Sequence, residues 1–432
     1  MKKYCPYQIS HIYLNEIVVL PLLHNSDQGN YVMFWWKSVA LGEVFFNPGE
    51  GIGEERLVSE MVKAIFPTLA FYGGDKPAID LQNMVQAKDC QNFTVYLDSL
   101  FNANIEEEIP SKLPVSVIIC TRNRSKYLTK CLQLLRGLVY QPEEIIVVDN
   151  APTDSTTEEA VRQFGEATYI KEPRAGLDFA RNTGVKQARN TIVAFVDDDV
   201  VVHPLWVLHV WKTFKDTETM ALTGLVIASE LSTESQFIFE KYWSFNRGYI
   251  DKYYDSTYFH KHLYHGPPVW EIGAGANMAF RKSVFEEVGY FDELLDAGAA
   301  GCNGDSEMWF RILRHGFKIH YNPRAIVCHE HRKGLKELKS QIFFYMRGFT
   351  AAALIQQKQL GLANYKKRLF RSMPKHYWRL IIAGFPNYRG RNRTLWAEIK
   401  GTLSGHLFYY RNKKTVAVKQ HSYTALKEKK MI

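Results

Sequence analysis

Apolar and polar positions divide the 432-residue chain into three stretches with different periods. In the first, short apolar runs at 16–23, 31–36 and 42–46 alternate with turn residues, and one helical period follows at 55–65. This predicts a small β-rich or α+β module over residues 1–105. The segment 106–114 carries three glutamates and two prolines with no apolar period, so it reads as a linker. Beyond it the period alternates. Apolar runs at 115–120, 144–149, 167–171, 191–196 and 221–228 read as strands, and 126–138, 156–164, 177–188 and 204–214 read as helices between them. That order predicts an α/β domain over 113–332, a doubly wound, mostly parallel sheet whose ligands sit beyond the carboxyl ends of the strands. Residues 333–432 mix Lys and Arg with aromatics at helical spacing and are expected to form a basic amphipathic helical tail.

Charge sharpens the third division. The tail holds 22 Lys and Arg against 3 Asp and Glu, a net +19, which leaves the first 332 residues at −10. Helices of this composition can lie on an anionic membrane surface, giving peripheral contact with the cytoplasmic face, or can pack on the catalytic domain with a basic outer side. No nucleic-acid-binding motif is recognisable, so no specific nucleic-acid partner is expected. The longest apolar run, 342–355, is shorter than a membrane span and contains Arg347. The start Met1-Lys2-Lys3-Tyr4 has no secretory pattern, and six scattered cysteines form no CxxC pair, so a reducing, cytoplasmic location is expected.

Two strand ends carry candidate chemistry. The run Ile192-Val193-Ala194-Phe195-Val196 ends in Asp197-Asp198-Asp199, three adjacent carboxylates whose repulsion a divalent metal holding a diphosphate would relieve. A solvated acidic turn is the alternative. Val147-Val148-Asp149-Asn150 repeats the design, with Asp149 able to accept from a base or ribose, while Asp154 or Ser155 caps the next helix. Neither a GxGxxG nor a Walker pattern is present.

The segment Val117 to Arg124 (VIICTRNR), the Val-Val-Asp-Asn strand, Ala180-Arg181-Asn182-Thr183-Gly184 and the triple Asp occur in the order seen in family-2 glycosyltransferases. The chain resembles that family over roughly 113–332. The resemblance implies a GT-A nucleotide-diphospho-sugar transferase fold and inverting transfer from a nucleotide sugar, by default a UDP-sugar, to a glycan or lipid-linked acceptor, with Mn2+ or Mg2+. It implies that Thr121, Arg124, Asp149 and Asn150 line the nucleoside pocket, and that Arg181 or Arg174 lies near the base or diphosphate. Asp197 would face the ribose, Asp199 would ligate the metal, and Asp198 can replace either neighbour. Glu271 to Arg281 resembles the family's Gly-rich strand, which makes Asn277 a candidate sugar contact.

Gly304-Asp305-Ser306-Glu307 opens a helix where the family carries an acidic pair, usually Glu-Asp, whose Asp is the catalytic base. Asp305 matches that base, and Gly304 replaces the Glu. Glu307 and Arg311, four apart, read as an intrahelical ion pair. Val327-Cys328-His329-Glu330-His331 resembles the family's closing histidine motif, with His329 as a further metal ligand and His331 exposed. The nearest enzyme alternative, a sugar-nucleotide nucleotidyltransferase, would carry a glycine-rich loop after the first strand, and Cys120 to Arg124 has no glycine. A non-catalytic scaffold or nucleic-acid binder working through the tail would leave the clustered Asp and Asp305 without a use.

Overall fold

The computed structural model describes residues 4–16, 21, 23, 27–73, 90–101 and 108–416. A nine-stranded mixed sheet forms its centre. Strands β4 (Lys112–Thr121), β5 (Gln141–Asn150), β6 (Thr168–Glu172) and β7 (Ile192–Asp197) run parallel, in the order β7-β4-β5-β6. On the other side β7 pairs antiparallel with β11 (Asn277–Arg281), then come β9 (Thr219–Ala228), β12 (Lys318–His329) and β10 (Lys252–Tyr254), with β8 (Val200–Val202) added to β12. The first four strands begin and end close to where the apolar runs predict, because both faces are covered and the runs are nearly unbroken.

Successive strand residues point to opposite layers. Val193 and Phe195 of β7 enter one core, with helices α4 (Leu177–Gln187), α7 (Gly304–Arg314) and α8 (Leu335–Gln359). Ile192, Ala194 and Val196 enter the other, with α2 (Ser125–Arg136), α3 (Thr156–Phe164) and α5 (Trp206–Thr213). The sheet is therefore covered on both faces, as the alternation of periods predicts.

The N-terminal residues form a separate three-stranded sheet of β1 (Tyr7–Tyr13), β2 (Gly29–Trp36) and β3 (Val39–Phe46), backed by α1 (Glu54–Gly73). β1 is a strand that the apolar pattern does not reveal, and the run at 16–23 lies mostly outside the described residues. β2 serves two cores at once. Val32, Phe34 and Trp36 pack towards α1, whereas Tyr31, Met33 and Trp35 pack on Leu225, Ile227 and Ile326 of the large sheet. Glu43 accepts hydrogen bonds from Tyr249 at 2.6 Å and Asn246 at 3.2 Å, so polar contacts tie the small sheet to the loop before β10 as well.

The tail folds back. Helix α8 buries Leu338, Ile342 and Ala351 to Ile355, and helices α9 (Met373–Gly384) and α10 (Leu395–Arg411) follow it. Among the described residues, no helix is long and apolar enough to cross a membrane.

Candidate active site

Strand register assembles the acidic edge. Thr121 at the end of β4 lies opposite Asp149 of β5, and Cys120 lies opposite Asp197 of β7, so the carboxyl ends of three parallel strands finish together. The chain then reverses through Asp198 and Asp199 into β8, which pairs antiparallel with β12 and sets Val200 opposite His329. That pairing brings Asp199 to a histidine far away in sequence. One ligand atom from each of Asp197, Asp199 and His329 lies within 4.8 Å of the others, and His329 Nε2 is 3.8 Å from Asp199 Oδ1. Two carboxylates and an imidazole, with room for phosphate oxygens, suit a divalent cation such as Mn2+.

The three aspartates have different surroundings. Burial, helped by the charge of Asp199, pushes the Asp197 carboxyl up to about 7. Burial likewise pushes Asp198 up to about 6, although Arg124 lies 2.5 Å away and the Thr121 hydroxyl donates to it at 2.6 Å. For Asp199, burial acts upward but His329 and Arg124 overcome it, leaving the carboxyl below its usual range. Asp198 thus turns towards Thr121 and Arg124, and its two neighbours face His329.

Behind Asp197, Asp199 and His329 runs a second chain of contacts. His329 Nδ1 faces His331 Nδ1 at 3.2 Å, and His331 Nε2 is 2.7 Å from Glu240 Oε2 on α6 (Glu234–Trp243). A carboxylate oxygen accepts, so a neutral His331 carries its proton on Nε2 and has a lone pair at Nδ1. That lone pair can receive the Nδ1–H of His329, which leaves the His329 Nε2 lone pair facing Asp199. Burial holds the His329 imidazole down at about 4, in the neutral form this arrangement needs. His331 is itself buried, at 3% exposure, because Phe239 packs on its ring and Glu240 takes its nitrogen. The expectation of an exposed His331 is thereby corrected.

Asp305, in the first turn of α7, lines the same cavity, a space of about 1600 Å³ that also takes in Thr121, Arg124, Asn150, Arg181, Asp197 to Asp199 and His329. Burial and then the charge of Asp296 raise its carboxyl above the usual range. Gly275 permits the approach of its neighbours: a Cβ there would meet Arg181 Nη2 at 3.0 Å and Asp305 Oδ2 at 3.2 Å. Glu307 and Arg311 form the expected ion pair, at 2.8 Å.

Four residues depart from expectation. Arg181 is buried and bound by Asp178 and Asp296, so its charge is already matched beside Asp305 and is not free for a diphosphate. Arg174 is held by Glu172. Asn277 is fully buried and spends its side chain inside the protein, accepting from Trp206 and donating to the carbonyls of Leu225 and Ala325, so it makes no sugar contact. Asp149 reaches the acidic edge but does not line the cavity. One of its oxygens accepts from Tyr169 at 3.1 Å, and the Thr157 side chain is a second hydrogen-bonding neighbour. Asn150 lines the wall while tying down the 174–176 loop through the Arg174 carbonyl and the Gly176 amide.

Asp178 and Asp296 are the residues that the sequence reading passes over. A Cβ on Gly304 would lie 2.7 Å from Asp296 Oδ2 and 2.8 Å from Asp178 Oδ1. The space of a side chain at 304 is filled by two carboxylates from elsewhere in the chain. The tail contributes as well, since Tyr345, Arg347 and Phe349 of α8 and Met373, His376 and Tyr377 of α9 line the cavity.

A mostly parallel sheet whose acidic strand ends converge with an Asp and a His on one cavity is the GT-A arrangement of a glycosyltransferase. The chain belongs to glycosyl transferase family 2: the family's sequence profile matches residues 116–289, a span that leaves Asp305 and His329 outside it. It is 30% identical over 239 residues to glycosyltransferase AglE of Haloferax volcanii, covering 54% of this chain and 72% of that protein. It is 27% identical over 247 residues to the pre-mycofactocin glycosyltransferase of Mycobacterium tuberculosis, covering 57% of this chain but only 48% of that one. Among solved structures, the mannosyltransferase PcManGT of Pyrobaculum calidifontis, in complex with GDP-Man and Mn2+, is 17% identical with a TM-score of 0.39, covering 78% of this chain and 87% of that one.

Proposed function

We propose that the protein transfers a sugar, with inversion, from a nucleotide-diphospho-sugar to a hydroxyl of a glycan or lipid-linked acceptor in the cytoplasm, as a step of polysaccharide or glycoconjugate assembly. The observation that carries this reading is the presence of Asp197, Asp199, His329 and Asp305 around one cavity. Asp305 is the base: as the acceptor oxygen bonds to the anomeric carbon and the bond to the diphosphate breaks, its carboxylate takes the hydroxyl proton. A raised carboxyl is better matched to that proton than an ordinary one. Asp197, Asp199 and His329 would hold a divalent cation, Mn2+ favoured over Mg2+ by the imidazole, and such a cation would supply positive charge against the diphosphate. Asp198, Arg124 and Thr121 keep the loop between the metal ligands in place, and Asn150 shapes the nucleoside end. UDP is the expected nucleotide.

Calorimetric titration with UDP, GDP, CDP and dTDP, with and without Mn2+, tests this reading. Mn2+-dependent binding of one nucleotide is expected, lost in Asp199→Ala. Asp305→Asn should keep that binding and lose transfer. A folded protein that binds none of the four would overturn the assignment.

A further inference from the structure

Ten of the nineteen exposed large apolar side chains among the described residues lie between Phe344 and Tyr410. They are ordered. On α9, Trp378 and Ile382 stand at i and i+4, with exposures of 64% and 61%, and Phe385, the extended residue just past the helix, is 75% exposed. On α10, Trp396, Leu403, Leu407 and Tyr410 share a second stripe, each about half exposed or more. The opposite side of α10 is pressed onto α8, where a Cβ on Gly401 or Gly405 would come within 3.1 Å or 3.2 Å of the carbonyl carbons of Phe343 or Arg347. Leu403 and Leu407 follow those glycines by two residues, roughly half a turn round, so their stripe faces away from the protein.

Basic side chains flank both stripes. Lys375 and Arg379 precede Trp378 and Ile382 by three residues, Lys400 precedes Leu403 by three, and Arg411 follows Leu407 by four. Each therefore sits one helical turn from an exposed apolar residue. All four are exposed, and none is ion-paired to a carboxylate among the described residues. An apolar stripe edged by unmatched positive charge fits a surface with hydrocarbon beneath an anionic layer. A second protein copy fits poorly, since this face would meet its own positive charge.

We infer that the outer face of α9 and α10 docks on an anionic lipid bilayer. The cavity gives this docking a use. Met373, His376 and Tyr377 line it from the same helix that carries Trp378 and Ile382, and His376 is exposed, so the cavity reaches the helix that bears the stripe. Resting on the transferase reading, the acceptor is then an amphiphile drawn from that bilayer. The docking itself does not depend on that reading.

The full-length protein would be sedimented with vesicles of phosphatidylcholine alone and of phosphatidylcholine mixed with phosphatidylglycerol, without nucleotide. Binding to the mixed vesicles only is expected. Lys375→Ala and Arg379→Ala should each weaken it about fivefold, and the pair Trp378→Ser with Ile382→Ser more than about tenfold. Unchanged nucleotide binding and melting would show that these surface variants remain folded, which separates loss of docking from loss of the donor site. Absence of binding to anionic vesicles, or binding that none of these substitutions weakens, would overturn the inference. So would a dimer by analytical ultracentrifugation that Leu403→Ser dissociates, because the face would then belong to a second copy.

Discussion

At the scale of residues, the contrast between His329 and His331 is instructive. Both follow a short apolar run, and only the first resembles a motif, yet the second determines which nitrogen of the first is available. The information for that lies in Glu240, which is 91 residues away in sequence, so no local pattern could reveal it. If Glu240 orients the pair, Glu240→Gln should lower Mn2+ affinity by about tenfold or more without unfolding the protein. Mn2+ electron paramagnetic resonance would read this, and an unchanged affinity would reduce Glu240 to a packing residue. Gly304 makes the same point from the other side. The sequence shows a missing side chain, whereas the structure shows two carboxylates in its place, Asp178 from α4 and Asp296 from the loop before α7. Asn277 reads like a substrate contact in sequence because it is polar in a small-residue run. Its neighbours on β9, β12 and α5, invisible to that reading, use up its side chain.

At the scale of elements, legibility follows burial. The parallel strands β4, β5 and β7 are continuous apolar runs because helices cover both faces, and they are found where the runs end in Thr121, Asp149-Asn150 and Asp197. β1 escapes notice because Tyr7–Tyr13 mixes Gln8, Ser10 and His11 into a half-exposed strand with no clean alternation. The N-terminal sheet reads as a separate module, but its inner face covers Leu225, Ile227 and Ile326 of the catalytic sheet. Removing residues 1–105 should therefore expose that apolar surface and give an aggregating protein instead of a smaller active one. Soluble yield and light scattering would measure it, and a monodisperse, nucleotide-binding fragment would contradict it. The tail helices were legible as amphipathic and basic. That α8 and α9 wall the cavity was not, since a helical period states that a face is buried without stating against what.

At the scale of the whole molecule, charge is distributed by task. The acidic catalytic edge accumulates carboxylates beyond what its cations match, and the tail accumulates positive charge at its outer face. The first has a consequence for stability. With Asp197 raised to about 7 and Asp198 to about 6, the folded, metal-free protein holds protons that the unfolded chain releases near 3.8. These groups therefore contribute stability below that value that is lost as pH rises towards about 7. Across that window the metal-free melting temperature should drop relative to that of Asp197→Asn, and Mn2+ should raise it most at the upper end. A melting temperature independent of pH and Mn2+ would count against the site.

The pairing of β8 with β12 adds a temporal order. Val200 to Val202 pair with Val327 to His329 across more than a hundred intervening residues, on the strand that also pairs with β9. The two aspartates occupy their strand end early in the chain, but the imidazole arrives with one of the last strands. A chain with only its first parallel strands formed would hold the two aspartates without the imidazole, so the proposed cation site would be complete only once β8 and β12 are paired.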